Sequence, residues 1–230
     1  MYCLKNVQKR YARRGQHVDA LCDVSLEIEP GEYLALVGAS GSGKTTLLSI
    51  LGAMLAPSDG EIHFDGQSLY QMTVRERANL RRQRFGFVFQ TFNLIPYLTA
   101  LENVQAPMML CGIPQADQAS KAAGLLDRFD LGDRMHHRPS ELSVGQQQRV
   151  ALARTLANDP SIILADEPTG NLDPQTRDVV LATLDEFHRE GRTIIVVTHD
   201  PAVAKRAQRR LSLSSGSIVD DSACALNKCA

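Results

Sequence analysis

Gly38-Ala39-Ser40-Gly41-Ser42-Gly43-Lys44-Thr45 is the stretch that decides how this chain reads. It has the form G-x-x-x-x-G-K-S/T. An apolar run, Tyr33 to Val37, precedes it, and Leu47, Leu48, Leu51 and Leu55 follow at helical spacing. The glycines let backbone amides converge on phosphate oxygens, and the N-terminus of the helix expected from Lys44 to Leu55 favours an anion. Ser40, Gly41, Ser42 and Gly43 form the cradle, and Lys44 carries a compact charge to the β- and γ-phosphates. The Thr45 hydroxyl suits Mg²⁺, and Thr46 suits the inner phosphate. The competing reading is a Gly/Ser-rich loop that only caps a helix. The strand before it and the leucine-rich helix after it count against that.

Two further strand ends carry unusual residues. Ile162-Ile163-Leu164-Ala165 is an apolar strand that ends in Asp166-Glu167. Thr193 to Val197 is a second, followed by Thr198-His199-Asp200. In α/β sheets, ligands sit at the C-terminal ends of strands. If these strands neighbour the one before Gly38, all three ends converge on one bound phosphate. Asp166 then holds Mg²⁺, and Glu167 orients and deprotonates water for attack on the γ-phosphorus. His199 hydrogen-bonds the γ-phosphate. Alone, Asp-Glu-Pro reads as a helix start, and a histidine after a strand reads as a surface residue. The phosphate loop changes that balance.

The remaining pattern alternates strands and helices, with one interruption. Tyr2 to Tyr11 reads as an edge strand, Ala12 to Asp19 as a polar loop, and Val24 to Ile28 as a half-buried strand. Glu61 to Phe64 and Phe85 to Phe89 are strands, with a Thr73/Glu76 capping box opening a basic helix between them. From Thr91 to Pro160 no strand is expected. Helices start at the Thr99/Glu102 cap, near Gln115, and near Gly145. The α/β pattern then resumes. Asp173-Pro174 opens a helix that Gly191 ends, Asp200-Pro201 opens another, and a hairpin turns at Ser215-Gly216. The chain thus reads as one domain over 1–230, with an α/β core (1–90 and 161–230) and a helical lobe (91–160).

Composition narrows the function classes. The chain has 230 residues and a net charge of -1, which argues against holding nucleic acid by phosphate neutralisation. Two basic clusters, Arg75 to Arg84 and Lys205 to Arg210, read as solvated surfaces. No apolar run reaches the roughly 18 residues that span a bilayer, and Met1 to Arg14 has no signal-peptide core. A cytoplasmic location follows as an expectation. The five cysteines, Cys3, Cys22, Cys111, Cys224 and Cys229, form no disulfide framework, and the last two read as free thiols in a tail.

Leu142-Ser143-Val144-Gly145-Gln146-Gln147-Gln148-Arg149 opens a helix just before the Asp166 strand. Ser143 with Gln146 is itself a capping box. Taken with the order of the other motifs, the segment makes the chain resemble an ATP-binding-cassette (ABC) transporter ATPase from Tyr11 to about Gly216. The resemblance implies a P-loop NTPase core with an antiparallel β subdomain and an inserted helical subdomain. It implies that Tyr11 stacks on adenine, unless it merely packs in its sheet. It gives Gln90 a place beside Mg²⁺ and the attacking water, and makes His199 the switch histidine. Asn171-Leu172-Asp173 matches the loop that communicates across the dimer. Two such cassettes sandwich ATP head to tail, so Ser143, Gly145 and Gln146 would contact nucleotide held by the other copy. Val144 departs from the pattern, standing where the family signature has its first glycine. A β-branched residue resists φ > 0, so the loop must hold an ordinary conformation there or turn the side chain away.

Arg84 to Pro96, Leu98 to Val104 and Ala165 to Asp173 resemble the lipoprotein-release and macrolide-exporter group. Members pair a cytoplasmic ATPase, peripheral on the inner membrane, with an integral membrane permease subunit that moves a lipid, lipoprotein, peptide or drug. The resemblance also admits a periplasmic adaptor. Three readings compete with export: an importer ATPase, a soluble ABC ATPase acting on DNA or ribosomes, and another P-loop enzyme such as a kinase. The soluble types carry a long coiled coil or two cassettes, which do not fit here, and a kinase leaves Leu142 to Gln146 unexplained. Phe92, Leu94, Ile95, Tyr97 and Leu98 make Thr91 to Val104 the expected docking segment for the membrane partner. The alternative is that they pack inside the helical lobe.

Overall fold

The computed structural model describes residues 1–13, 16–170 and 172–223. In chain order its elements are β1 (Tyr2–Arg13), β2 (Gln16–Ile28), β3 (Tyr33–Val37), α1 (Lys44–Leu51), β4 (Asp59–Phe64), β5 (Gln67–Ser68), α2 (Val74–Arg84) and β6 (Phe85–Phe89). Then come α3 (Ala100–Leu110), α4 (Gln115–Arg128), α5 (Val144–Thr155), β7 (Ile162–Asp166), α6 (Pro174–Arg189), β8 (Thr193–Val197), α7 (Pro201–Ala204), β9 (Arg209–Ser214) and β10 (Ser217–Asp221). Arg14, Asn171, Cys224 and Cys229 lie outside the described residues.

A six-stranded sheet of order β10-β9-β3-β8-β7-β6 forms the centre, parallel except for β10. Its strands are apolar on both faces, as a covered parallel sheet requires. Successive residues enter different cores, because side chains alternate along a strand. Ile163, Ala165, Ile194 and Val196 face one core with Val104, Leu126, Val150 and Phe187 of the helices. Ile162, Leu164, Ile195 and Val197 face the other, with Leu47 and Leu51 of α1 and Leu4, Val24 and Ile62 of a second sheet. That second sheet is antiparallel and has the order β2-β1-β4-β5. The result is a parallel sheet held between a helical layer and a smaller β layer.

Local signals explain most boundaries. Thr73 and Thr99 cap α2 and α3, each with a reciprocal Glu bond. Asp173 caps α6 ahead of Pro174. The last hairpin turns through Ser215 and Gly216, both at positive φ, the geometry that suits the twist of two-residue hairpins. Thr91 to Pro160 carries no strand.

Four expectations need correction. Ala12, Arg13 and Gln16 to Asp19 are strand rather than loop: Arg10, Tyr11 and Ala12 pair with Asp19, Val18 and His17. The hairpin is extended by main-chain pairing and an Arg10–Asp19 ion pair at 2.8 Å, and neither leaves a hydrophobic period. Tyr2 to Tyr11 is not an edge strand either, since β1 lies between β2 and β4. Helix α1 stops at Leu51, short of Leu55. Gly52 takes the C-cap, and a Cβ there would lie 2.9 Å from both Leu164 and Phe87. The basic run of α2 is a solvated face only in part: Arg75 is exposed, while the other arginines are partly buried. Arg77 and Arg81 donate to the Met72 and Ala53 carbonyls, and Arg84 pairs with Asp65.

Ile195 sits in the middle of the central sheet at 0% exposure. Ile195→Ala should cost about 3 kcal/mol, transfer and cavity terms together. Val219→Ala, at a position 64% exposed, should change stability by under about 0.5 kcal/mol. Urea unfolding with an unchanged slope checks both; equal midpoint shifts would contradict the layering.

Candidate active site

Strand register places the site. Phe89 pairs with Asp166, Asp166 with Val197, and Leu36 with Val197. Four adjacent parallel strands therefore stop at one level. The residues that leave them are Gln90 after β6, Glu167 after β7, Thr198 and His199 after β8, and Gly38 after β3. The three strand ends expected to be neighbours are neighbours, with β8 in the middle.

The phosphate loop is tightly fitted. A Cβ on Gly38 would lie 2.3 Å from the Leu213 carbonyl oxygen, and one on Gly43 would lie 2.4 Å from that of Ala20. Gly43 is also left-handed, at φ 103°, and serves as N-cap of α1. Both positions therefore exclude side chains. Lys44 is buried, and its Nζ donates to the Gly38 and Ala39 carbonyls at 2.8 Å each. It thus closes the loop on itself. Gly41, Ser42, Gly43, Lys44, Thr45 and Thr46 line a cleft of about 150 Å³ with Ala20.

Thr45 bridges to the acidic strand: its Oγ1 donates to Asp166 Oδ1 at 3.1 Å. Burial raises the Asp166 carboxyl above its usual pKa and the Glu167 charge adds to this, while the Thr45 bond and Lys44 pull it back. Glu167 adopts φ 46°, an unusual conformation for a non-glycine residue. Its amide donates to the Val197 carbonyl, and its Oε1 lies 2.9 Å from His199 Nδ1. The His199 side chain is 76% exposed and that of Glu167 20%. Gln90, Glu167, Gly170 and His199 share a cleft of about 200 Å³. Gln90 lies so close to Gly170 that a Cβ there would meet Gln90 Nε2 at 2.8 Å.

Tyr11 is 40% exposed on β1, opposite Val18, with Lys9 Nζ 5.3 Å from its ring centroid. Two residues along from Val18, the Ala20 carbonyl faces Gly43, so the same hairpin borders the phosphate loop.

Ser143, Gly145 and Gln146 are elsewhere. Ser143 caps α5, accepting from the Gln146 amide at 3.3 Å while its own amide donates to Gln146 Oε1 at 2.9 Å. Ser143 and Gly145 line a cleft of about 350 Å³ with Gln148, Gln175 and Thr176. That cleft has no lining residue in common with the other two. Val144 resolves plainly: it is the first residue of α5, outside the positive-φ residues, and 53% exposed. Gly145 has a different reason to lack a side chain, since its Cβ would meet Thr176 Oγ1 at 3.1 Å. Thr176 bonds in turn hold the Asp173 carboxyl below its usual range.

The segment after Gln90 divides. Leu94 packs against the core beneath the helices, as the alternative reading had it, whereas Ile95 is 44% and Tyr97 84% exposed. Phe92 and Asn93 are both left-handed, and Arg154 holds them by donating to both carbonyls at 2.6 Å. Burial lowers the Arg154 pKa from its usual value. Sequence reasoning missed Arg154. Its one signal was position, four residues past Val150 on the face of α5 that turns inward. Also missed was an apolar groove of about 340 Å³ between β6 and α3, lined by Met54, Phe87, Phe89, Ile95 and Leu110.

Known proteins share this arrangement. The family model for ABC transporters matches residues 21–170. A macrolide export ATP-binding/permease protein of Hyphomonas neptunium is 48% identical over 219 residues, covering 95% of this chain and 34% of its own length. A pyoverdine export ATP-binding/permease protein of Pseudomonas aeruginosa is 48% identical over 221 residues, 96% of this chain and 33% of that protein. The chain therefore spans about a third of these curated relatives. An ATP-binding cassette solved as a dimer in a post-hydrolysis state, bound to ADP and Pi, superposes with a TM-score of 0.89 at 41% identity, covering 96% of this chain and 97% of that one. No described helix is long and apolar enough to cross a membrane.

The raised Asp166 pKa sets a stability prediction. A carboxyl whose folded pKa is raised contributes stability at low pH that is lost as pH climbs through that pKa. Asp166→Asn keeps an oxygen for Thr45 and removes the charge. In nucleotide-free protein it should raise Tm by about 2 °C near neutral pH and give no gain near pH 3, where the wild-type carboxyl is itself protonated. Calorimetry at the two pH values checks this; a lower Tm at neutral pH would refute it.

Proposed function

The chain belongs to the ABC transporter family, and we propose that it is the ATP-hydrolysing cassette driving an integral membrane permease that exports or extracts its cargo. One observation carries the reading. Lys44, Thr45, Gln90, Asp166, Glu167 and His199 gather where four parallel strands end in register. The core is 1–90 with 161–230, and 91–160 is the helical signature subdomain.

Phosphates enter over α1, and Lys44 exchanges its two carbonyl partners for phosphate oxygens. Thr45 and Asp166 offer two oxygens 3.1 Å apart. That donor set fits Mg²⁺, which commonly takes one or two protein carboxylates and draws its other ligands from phosphates and water. Gln90, the nucleotide's phosphates and water would supply the remaining donors. When bound, Mg²⁺ neutralises charge on the terminal phosphates. Glu167 takes the proton of the attacking water, His199 orients it and contacts the γ-phosphate, and Gln90 reaches the same cleft. Tyr11 stacks on the adenine.

Ser143 and Gly145 have no phosphate to contact in their own chain, because they line a separate cleft, and Gln146 is tied to Ser143 by the capping box. Their role is to cap nucleotide held by a second copy, which makes a head-to-tail dimer the competent unit. The permease docks in the groove beside Ile95, with the exposed Tyr97 two residues further along the chain. On this reading the chain works at the cytoplasmic face of the membrane. The export names of the relatives favour export over import.

Lys44→Ala should abolish hydrolysis and weaken Mg-ATP binding; wild-type turnover in a phosphate-release assay would sink the site. Glu167→Gln should lower kcat at least ~10²-fold and accumulate an ATP-bound dimer on size exclusion. Adding Ser143→Arg should restore the monomer, and a dimer indifferent to it would contradict the sandwich. Ile95→Glu should release the cassette from its permease in detergent pull-downs without lowering Tm. Binding that persists would rule out the groove.

A further inference from the structure

The first turn of α6 touches both halves of the proposed machinery, through two successive residues. Neighbours in a helix project about 100° apart, so Thr176 and Arg177 reach different parts of the molecule. Thr176 faces the signature. Its Oγ1 would sit 3.1 Å from a Cβ on Gly145, and it donates to Asp173 Oδ2 at 2.6 Å. Arg177 faces a different neighbour. Its Nη1 donates to Asp200 Oδ2 at 3.3 Å. Asp200 is the residue after His199, and its second oxygen caps α7 by accepting from the Ala202 amide at 2.8 Å. Its own amide donates to Thr198 Oγ1 at 3.0 Å. Asp200 therefore fixes the turn that presents His199 to Glu167.

We propose that Arg177 is a positioning residue for hydrolysis, linking the signature glycine, through the first turn of α6, to the His199–Glu167 pair. The inference rests on the site reading above and adds a route between the two ATP sites of a dimer. Engagement of Gly145 by the partner's nucleotide displaces Thr176. Arg177 carries that displacement to Asp200, and His199 is reset against Glu167. Each copy then activates water only when its signature is occupied.

Two features leave the link free to move. Arg177 holds Asp200 by one nitrogen only, while its Nε is buried with no partner among the described residues. A small rotation would convert the contact to a two-pronged one. Beside Thr176 lies the cleft of about 350 Å³, and the buried Gln148 amide on its wall also has no partner among the described residues. The α5–α6 contact is therefore open where the turn must shift.

Steady-state ATPase of Arg177→Met and Asp200→Asn tests the link. Met keeps the stem without the charge, and Asn keeps an oxygen for the α7 cap. Each should lower kcat about tenfold, with KM for ATP within about twofold of wild type. The double variant should be no slower than the slower single, the mark of one shared interaction, and Arg177→Lys should recover part of the loss. In the Glu167→Gln background, Arg177→Met should leave the ATP-bound dimer intact, because neither the signature nor the phosphate loop is altered. An unchanged kcat, a loss that falls on KM, or losses that multiply in the double variant would each overturn the proposal. If Arg177→Met fails to fold, Asp200→Asn with Arg177→Lys decides by the same criteria. Glu167→Gln alone, if it keeps full turnover, condemns the site reading rather than the link.

Discussion

Everything at the candidate site depends on one constraint, the common level at which β3, β8, β7 and β6 stop. Parallel pairing sets that level. Leu36, Val197, Asp166 and Phe89 lie in one row of the sheet. A slip of one residue in β7 would turn Asp166 and Glu167 to opposite faces and exchange the two cores. The slip is prevented because both faces are filled, Ile163 and Ala165 on one side and Ile162 and Leu164 on the other. Burial of apolar residues that take no part in chemistry thus fixes where the polar ones emerge.

The sequence made the catalytic end of the fold legible and left the edges obscure, for one physical reason. Residues 33–37, 162–165 and 193–197 are short, largely apolar runs rich in β-branched or aliphatic residues, each followed by unusual polar residues, and their length favours buried strands over helices. The hairpin strands around Tyr11 are exposed, and they are joined by main-chain bonds and one ion pair. Periodicity carries no trace of such bonds. The segment after Gln90 was half legible. Its apolar residues were conspicuous, but nothing in their order separates Leu94, which packs inward, from Ile95, which does not. Thr176 and Arg177 look like ordinary first-turn residues of a capped helix. Their importance lies in what tertiary packing sets opposite them.

Three of the ten left-handed non-glycines among the described residues follow the strand ends at this level. Glu167, Phe92 and Asn93 are all left-handed non-glycines, and each such residue costs about 1–2 kcal/mol. Identifiable bonds offset that cost. The Glu167 amide and carbonyl are tied to Val197 and Gly170, and Arg154 clamps the Phe92 and Asn93 carbonyls. The conformation that swings Glu167 toward His199 is therefore held by the sheet edge itself. The turn after Gln90 is held by a helix of the signature region.

The two signature positions next to Ser143 show how such a motif can vary without losing its geometry. Ser143 supplies the cap and Gln146 the reciprocal bond, so α5 starts correctly whatever stands between them. Val144 falls on the first helical residue, with an ordinary backbone and its side chain half in solvent. No glycine is required there, and a β-branched residue costs only a few tenths of a kcal/mol in helix propensity. Gly145 is bound by contact rather than by φ: a methyl group would press on Thr176 Oγ1, which is already committed to Asp173. The position that already carries a side chain is half in solvent, and the one that is still glycine faces the helix that leads to Asp200. A motif glycine is thus free or fixed according to what packs against its Cα, and here that neighbour is the first turn of α6.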